Sequence, residues 1–183
     1  MQKNIIAILG LPGAGKTEVI DYLMKKNNWP KVYFGDVTFD ELKARGLEIN
    51  EKNERLVRED LRAKYGRLHY ASKVVEKIEN LKNEQYILVE SLYDWSEYLL
   101  FKKQFGDQFM TIAIYTSPKV RYERLGKRQV RPLTAEEAQS RDYSQIENIF
   151  QAGPIAMANF TVNNDGTFEE LYQQIDDIIE KIK

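Results

Sequence analysis

Residue types that support several common kinds of chemistry are absent or scarce in this 183-residue sequence. It contains no cysteine, which excludes disulfide bonds, thiolate metal sites and a cysteine nucleophile. The single histidine, His69, stands in a helical pattern without a serine or cysteine partner, so we expect it to pack or face solvent. The lack of cysteine suits an intracellular protein, and we expect a cytoplasmic location.

A surplus of basic charge and a long apolar run are also lacking. With 27 basic and 28 acidic residues the formal net charge is −1, which argues against a dedicated nucleic-acid binder. No apolar stretch approaches the length of a membrane span, so we expect no membrane partner. The apolar run near the N-terminus is too short for a signal sequence and leads straight into a glycine-rich segment. These features indicate one globular domain.

The glycine-rich segment 10–17, here called the phosphate loop, reads GLPGAGKT and follows the apolar run Ile5–Leu9. It matches the template G-x-x-x-x-G-K-[ST] at every fixed position, with a strand pattern before it and a helix pattern after it. Its glycines allow successive N–H groups to converge on an anion, and the helix dipole adds positive potential. Lys16 can reach the β- and γ-phosphates, and the Thr17 hydroxyl can ligate Mg²⁺. We therefore predict triphosphate contacts from Gly10, Gly13, Ala14, Gly15, Lys16, Thr17 and Glu18.

Strand and helix patterns alternate through the rest of the chain, which predicts a three-layer α/β/α fold with a five-stranded parallel sheet. Between the second and third strands, helical stretches at 50–65 and 67–81 are separated by Gly66. Arg62 in this region could hold a phosphate of a second substrate. The predicted strands are Ile5–Leu9, Lys31–Phe34, Tyr86–Glu90, Phe109–Tyr115 and Phe160–Asn163.

Two acidic residues are predicted at the carboxyl ends of strands, the edge where parallel α/β sheets bind ligands. Glu90 ends the third strand, where phosphate-loop proteins place an acid that organises Mg²⁺, although a glutamate there could simply face solvent. Thr38 and Glu41 match a capping box, which would place Asp36 in a loop just before a helix. The Asp36 carboxylate could accept the proton of an attacking hydroxyl, or it could serve only as a helix cap.

Basic residues are concentrated between positions 121 and 141. Arg121, Arg124 and Arg128 recur at spacings of three and four, which predicts one face of a helix beginning at Ser117-Pro118. A solvated basic face is the ordinary explanation for such a run. In a phosphate-loop protein, arginines also neutralise a transferring phosphoryl group through bidentate contacts. We therefore favour Arg124, Arg128 and Arg131 as functional residues.

In order and content these motifs resemble the nucleoside monophosphate kinase group of phosphate-loop proteins, and within it dephospho-CoA kinase and archaeal dephospho-CoA-kinase-like proteins. The likeness extends over nearly the full length of the chain. It implies a single kinase domain over residues 1–183 that uses ATP and Mg²⁺, with a helical acceptor insert at about 36–83 and a lid at about 127–141. The segments that carry it are GLPGAGKTEVIDYL, GDVTFDELKARGL, LRAKYG, SPKVRYERLGKR, AQSRDYSQI and NFTVNNDGTFEEL.

The resemblance also implies roles for individual residues. Asp36 falls where the family has its substrate-side acid, Arg128 and Arg131 begin the lid over the triphosphate, and Arg141 matches a lid-helix arginine. The segment from Asn163 to Gly166 would lie near the adenine of ATP. One departure stands out, because the third strand ends VESLYDW, where the archaeal relatives typically have an aspartate-glycine pair.

We expect a small-molecule kinase that moves the γ-phosphoryl group of ATP onto a nucleotide-like acceptor, by positioning and charge neutralisation. The resemblance favours the 3′-hydroxyl of dephospho-CoA, with a (deoxy)nucleoside monophosphate as the alternative. A hydroxyl acceptor needs a base such as Asp36, whereas a phosphate acceptor needs arginines. An ATP-binding regulatory or adaptor protein without an acceptor is the alternative of another class. We expect a monomer or a small homo-oligomer.

Overall fold

A computed structural model describes residues 3–183, without the side chain of Glu51; Met1 and Gln2 of the predicted domain lie outside the described residues. Five strands form one parallel sheet, as the sequence predicts. The strands are β1 (Asn4–Leu9), β2 (Lys31–Tyr33), β3 (Tyr86–Glu90), β4 (Phe109–Tyr115) and β5 (Phe160–Asn163). Their order in the sheet is β2-β3-β1-β4-β5, which places β1 at the centre, so the loop after it opens onto the middle of the sheet edge.

Helices cover both faces of the sheet. None of the helices in residues 3–183 combines the length and the apolar character needed to cross a bilayer. They are α1 (Lys16–Asn27), α2 (Gly35–Ala44), α3 (Glu51–Tyr65), α4 (His69–Asn80), α5 (Trp95–Phe105), α6 (Pro118–Gly126), α7 (Ala135–Ile149), α8 (Ala152–Ala156) and α9 (Phe168–Ile182).

The core consists of two apolar layers, one on each face of the sheet. Successive side chains of a strand point to opposite faces, so an apolar run such as β1 supplies both layers. One layer includes Ile5, Ala7 and Leu9 of β1 with side chains of α4 and α5. The other includes Ile6 and Ile8 with side chains of α1 and α9. This is the predicted three-layer α/β/α fold.

The predicted start of α2 is wrong, although the helix itself is present. The helix begins at Gly35, and Phe34 is its N-cap residue without a side-chain cap bond. Thr38 is therefore inside the helix, where its buried hydroxyl hydrogen-bonds the Tyr70 hydroxyl of α4 at 2.9 Å. Asp36 lies in the first helical turn instead of in a loop before it. A tertiary hydrogen bond thus uses the hydroxyl that a capping box would need.

The arginine-bearing helix α6 is shorter than predicted. It ends at Gly126, and the Leu125 carbonyl accepts a hydrogen bond from the Leu133 N–H at 3.2 Å. This bond closes a loop directly after the helix, so Arg128 lies in the connection to α7 and not on the same helix face as Arg124. Complete capping boxes open α5, α7 and α9.

Candidate functional site

The phosphate loop joins β1 to α1 at the centre of the sheet edge. Gly15 has φ 99°, and a Cβ atom there would lie 2.3 Å from Asn164 Nδ2. Gly10 has φ 143°, and its Cβ would lie 2.6 Å from the Ile114 carbonyl oxygen. Only glycine fits both conformation and space at these positions. The start of α1 has no side-chain cap, which leaves its first N–H groups for an anion.

Side chains from distant parts of the sequence hold the loop by its carbonyl groups. Because these carbonyls are engaged by the protein, the loop keeps the conformation in which its N–H groups can face a ligand. The bonds run from Gln151 Nε2 to Gly10 O (3.0 Å), Arg121 Nη1 to Pro12 O (3.2 Å), Asn164 Nδ2 to Ala14 O (2.8 Å) and Thr116 Oγ1 to Ala14 O (3.0 Å).

A cavity of about 260 Å³ lies against the loop, and we call it the phosphate-loop cavity. Lys16, Arg124, Arg128 and Arg141 all line it. Burial, with the charges of Arg128 and Arg141, lowers the pKa of Lys16 to about 8. The Lys16 ammonium donates to the Gly10 carbonyl at 2.8 Å, inside the loop. Such a concentration of positive charge in a partly enclosed space fits a polyphosphate ligand.

The predicted Mg²⁺ residues lie next to each other at the edge of this cavity. The Thr17 hydroxyl donates to Glu90 Oε1 at 3.2 Å, and Lys31 Nζ lies 2.7 Å from Glu90 Oε2. Among the residues that the structure describes, no cluster of three or more His, Cys, Asp or Glu could hold a metal alone. A hydroxyl and one carboxylate fit Mg²⁺, which takes its other ligands from phosphates and water.

Arg121 differs in role from the neighbouring arginines. It is 3% exposed and forms an ion pair with Asp142 of α7 at 2.7 Å. Its Nε also donates to the Thr116 carbonyl at 3.0 Å. Arg121 therefore fastens α6 and α7 to the phosphate loop from within the core. Of the three regularly spaced arginines, Arg124 and Arg128 reach the cavity and Arg121 supports it.

A second cavity, of about 970 Å³, lies between helices α2, α3 and α4, the loop after β3, and α7; we call it the insert cavity. Five arginines and five aromatic residues line it. Two of the arginines have acidic partners there: Arg58 pairs with Glu54 at 3.3 Å and Arg67 with Asp94 at 2.5 Å. The arginines are Arg58, Arg62, Arg67, Arg131 and Arg141, and the aromatic residues are Tyr33, Phe34, Phe39, Tyr70 and Tyr93.

The insert cavity also contains a buried carboxyl group, that of Glu97. This residue is 6% exposed, and its Oε2 accepts a hydrogen bond from the Asp94 N–H at 3.3 Å as part of the capping box of α5. Burial raises the pKa of Glu97 to about 7, against the attraction of Arg62. The group therefore changes charge near neutral pH, in contact with whatever occupies the cavity.

The two cavities share Tyr93 and Arg141 in their linings. Tyr93 belongs to the VESLYDW segment, which the resemblance to dephospho-CoA-kinase-like proteins singled out as a departure. Lys16 Nζ lies 5.4 Å from the centroid of the Tyr93 ring, and the Tyr93 hydroxyl lies 2.9 Å from Ser91 Oγ. A molecule in the insert cavity and a polyphosphate on the loop would thus meet at these two residues.

The predicted site residues do not all line the same cavity, and some line neither. Glu18 lines the phosphate-loop cavity, and Arg62 lines the insert cavity. Arg131, predicted to act on the triphosphate, lies in the insert cavity instead. Asp36 is not among the residues that line either cavity, although the nearby Tyr33 and Gly35 line the insert cavity.

The segment predicted near the adenine lies beside the phosphate loop but borders neither cavity. Asn163 exchanges hydrogen bonds with Gln174, through its N–H to Oε1 at 3.0 Å and its carbonyl from Nε2 at 2.9 Å. Gly166 lies against the Glu170 carboxylate. Within this segment, Asn164 is the residue that contacts the phosphate loop. The adenine contacts of Asn163 and Gly166 remain predictions.

Several residues of the site were not identified from the sequence. Arg58 stands in the same helical stretch as Arg62, Arg67 follows the break at Gly66, and nothing in their spacing distinguished the three. Tyr93 carried a signal, since it belongs to the segment VESLYDW that the resemblance singled out as a departure. Gln151 carried none, because it acts on the loop from a position more than 140 residues away. Asn164 belongs to the segment predicted near the adenine, but nothing local indicated its bond to the phosphate loop.

Comparison of the sequence with known proteins finds relatives along nearly its whole length. The family model described as "AAA domain" matches residues 6–144. A UPF0200 protein of Methanocaldococcus jannaschii is 36% identical over 97% of this chain and 90% of its own length. A UPF0200 protein of Thermococcus onnurineus is 32% identical over 97% of both chains. These names specify no acceptor, so the likeness to dephospho-CoA kinase remains a prediction.

Solved structures with the same fold include two that are named as kinases. TT1252 from Thermus thermophilus superposes with a TM-score of 0.69 at 17% identity, covering all of both chains. A gluconokinase from Sinorhizobium meliloti (TM-score 0.62, 14% identity) covers 99% of this chain and 96% of its own. Shikimate kinase from Acinetobacter baumannii in complex with shikimate (0.62, 19%) covers 99% and 95%. The chain shares its fold with these structures. By its sequence it belongs to the UPF0200 family and carries the domain described as AAA.

Proposed function

We propose that this protein is an ATP- and Mg²⁺-dependent kinase that transfers the γ-phosphoryl group to a nucleotide-like small molecule. The observation that supports the proposal is the junction of two cavities at Tyr93 and Arg141. One cavity has the features of a polyphosphate site, and the other is large, aromatic and rich in arginine. A protein that only bound or hydrolysed ATP would have no use for the second cavity.

Catalysis in this proposal rests on positioning and charge. An acceptor oxygen forms a bond to the γ-phosphorus while the bond to the β–γ bridging oxygen breaks, and ADP leaves with that oxygen. Lys16, Arg124 and Arg128 would neutralise the phosphates, and Arg141 would contact both reactants. Mg²⁺, when bound by Thr17 and Glu90, would supply further neutralisation of the phosphate charge.

Among acceptors, the insert cavity fits a nucleoside monophosphate best. Arginines bind phosphate through planar bidentate contacts, and Arg62, Arg131 and Arg141 all face this space. An acceptor phosphate is already anionic and needs no base. A 3′-hydroxyl acceptor needs one, and the expected base, Asp36, does not line the cavity. The aromatic residues Tyr33, Phe39 and Tyr70 provide surfaces on which a base can stack.

Dephospho-CoA is the second candidate. The observation in its favour is the size of the insert cavity, about 970 Å³, which exceeds what a nucleoside monophosphate needs. The diphosphate of dephospho-CoA would bind the same arginines, and its pantetheine arm would lie against the aromatic side chains in the remaining volume of the cavity. The structural neighbours named gluconokinase and shikimate kinase are kinases of small molecules, which agrees with either acceptor.

The test is a product screen with purified protein, ATP and Mg²⁺ against all common ribo- and deoxyribonucleoside monophosphates and dephospho-CoA. We expect a phosphorylated nucleotide to form from at least one acceptor, identified by its mass, and Lys16→Met to form none. Tight ATP binding without any phosphorylated acceptor would favour the regulatory or adaptor class and contradict the proposal. A surface variant, Lys73→Met, serves as the control for handling and fold.

A further inference from the structure

Tyr93 stands at the point where the two cavities meet, yet neither the phosphate-loop motif nor the predicted catalytic set includes it. Its side chain borders both spaces. It lies three residues after Glu90, the last residue of β3. A group transferred from the phosphate loop to the insert cavity would therefore pass close to this side chain.

The ring of Tyr93 covers the lysine of the phosphate loop. Lys16 Nζ lies 5.4 Å from the ring centroid, a cation–π distance. The face of the ring thus occupies space beside the ammonium group that would contact the γ-phosphate. A ring face at this place would keep bulk water from the γ-phosphorus atom when no acceptor is bound.

The Tyr93 hydroxyl is hydrogen-bonded to Ser91, a residue with an unusual backbone conformation. Ser91 has φ 71°, the left-handed region that serine rarely adopts. This conformation brings Ser91 Oγ to 2.9 Å from the Tyr93 hydroxyl. Burial raises the pKa of Tyr93, so the phenol stays neutral and can donate a hydrogen bond at neutral pH. When the Ser91 hydroxyl donates to the phenol oxygen, the single phenol proton stays available for a bond to the acceptor.

We propose that Tyr93 is a specificity-determining residue of the transfer site, whose ring excludes water from the γ-phosphate and whose hydroxyl, oriented by Ser91, donates to the receiving oxygen of the acceptor. The role of the Tyr93 hydroxyl rests on the proposed kinase function. The role of the ring in excluding water concerns ATP alone. Ser91 is a positioning residue, because it acts through Tyr93.

Three variants separate the ring, the hydroxyl and its orientation. Tyr93→Ala removes both ring and hydroxyl, Tyr93→Phe removes the hydroxyl alone, and Ser91→Gly removes the orienting partner while relieving the left-handed conformation. Tyr98→Phe is the matched control, since Tyr98 is buried in α5 and borders neither cavity. Hydrolysis of ATP·Mg²⁺ without acceptor and transfer to the nucleoside monophosphates and dephospho-CoA are measured for each. The rise in melting temperature on adding ATP reports that the phosphate-loop cavity is intact.

We expect Tyr93→Ala to hydrolyse ATP without acceptor about tenfold faster than the wild type, and faster than Tyr93→Phe. We expect Tyr93→Phe and Ser91→Gly to lose about three- to tenfold in kcat/KM for the acceptor, the size of one hydrogen bond, mainly through kcat. Hydrolysis by Tyr93→Ala at the wild-type rate would overturn the shielding role. Transfer by Tyr93→Phe within twofold of wild type would overturn the role of the hydroxyl. If no acceptor turns over in the wild type but Tyr93→Ala hydrolyses faster, the proposed function fails while the shielding role stands.

Discussion

Arg121 and Asp142 form an ion pair of 2.7 Å that is almost completely buried and joins α6 to α7 on either side of the predicted lid. Arg121 also donates to the Pro12 carbonyl of the phosphate loop at 3.2 Å. The Arg121 guanidinium thus connects Asp142, the residue after the predicted lid, with the phosphate loop expected to hold ATP. The predicted lid ends at residue 141, next to this anchor.

Removing Arg121 should destabilise the protein strongly. Arg121→Met leaves the Asp142 carboxylate buried without its partner, which costs about 3–5 kcal/mol of unfolding free energy. The double variant Arg121→Met/Asp142→Leu should lose less, because no unpaired charge remains. The control is Arg55→Met: its ion pair with Glu59 is 74% and 66% exposed and should contribute less than about 1 kcal/mol. Urea denaturation measures all three, and an Arg121→Met loss no larger than that of Arg55→Met would contradict this role.

Lys16 should make ATP binding depend on pH. Its pKa is lowered to about 8 in the free protein, by burial and by Arg128 and Arg141, and bound triphosphate raises it. Below pH 8 the lysine is already protonated, so the affinity is constant. Above pH 8 binding must take up a proton, so the affinity falls by up to about tenfold per pH unit.

Calorimetry at pH 7 and 9 in buffers of different ionisation enthalpy measures this uptake. We expect close to one proton per ATP at pH 9, little at pH 7, and none in Lys16→Met at either pH. An affinity that stays constant from pH 7 to 9.5 would show that the lysine is fully protonated in the free cavity.

Glu97 should make stability fall as the pH rises towards neutrality. Burial raises its pKa from 4.5 to about 7, so between these values the folded protein holds a proton that the unfolded chain releases. The folded state is favoured at the acidic end of this interval, and the loss across it is about 3 kcal/mol. Glu97→Gln removes the dependence.

Glu137 provides a matched control, because it fills the same capping-box position in α7 while exposed. Urea unfolding of wild type, Glu97→Gln and Glu137→Gln at pH 5 to 8 gives the comparison. We expect the stability difference between wild type and Glu97→Gln to change across this range, and that for Glu137→Gln to stay nearly constant. Parallel curves for wild type and Glu97→Gln would refute the effect.

Asp36 separates the two acceptor classes. With a nucleoside monophosphate, whose phosphate needs no base, Asp36→Asn should lower kcat/KM by only a few-fold. With dephospho-CoA, loss of a base for the 3′-hydroxyl should cost 100-fold or more. Asp40→Asn on the same helix is the control, since that carboxylate is 67% exposed and pairs with Lys77. A loss above 100-fold with a nucleoside monophosphate would contradict the assignment of a phosphate acceptor.

The fold and the phosphate loop could be predicted because their signals are local. An unbroken apolar run such as Ile5–Leu9 forms a strand buried on both faces, whatever lies elsewhere in the chain. The spacing of the glycines and Lys16 is fixed by the shape of a phosphate. The pairs Thr134–Glu137 and Thr167–Glu170 form capping boxes, a local signal of the same kind, since a capping box needs only four consecutive residues.

The same four-residue pattern failed at Thr38 because a distant residue took its hydroxyl. Tyr70, 32 positions away, bonds Thr38 inside the helix, and no local rule anticipates such a partner. The junction at Tyr93 and Arg141 depends on how α7 returns over the loop after β3. Its existence follows from packing, and the sequence could mark only the departure in VESLYDW.

The central claim is that the γ-phosphoryl group of ATP passes from the phosphate loop to a molecule in the insert cavity. The most direct measurement follows γ-labelled ATP with the protein and the best acceptor of the panel, and determines where the label goes. The account predicts one labelled acceptor for each ADP formed, and loss of transfer in Lys16→Met and Arg141→Met. Label found only in inorganic phosphate, with every acceptor tested, would contradict it.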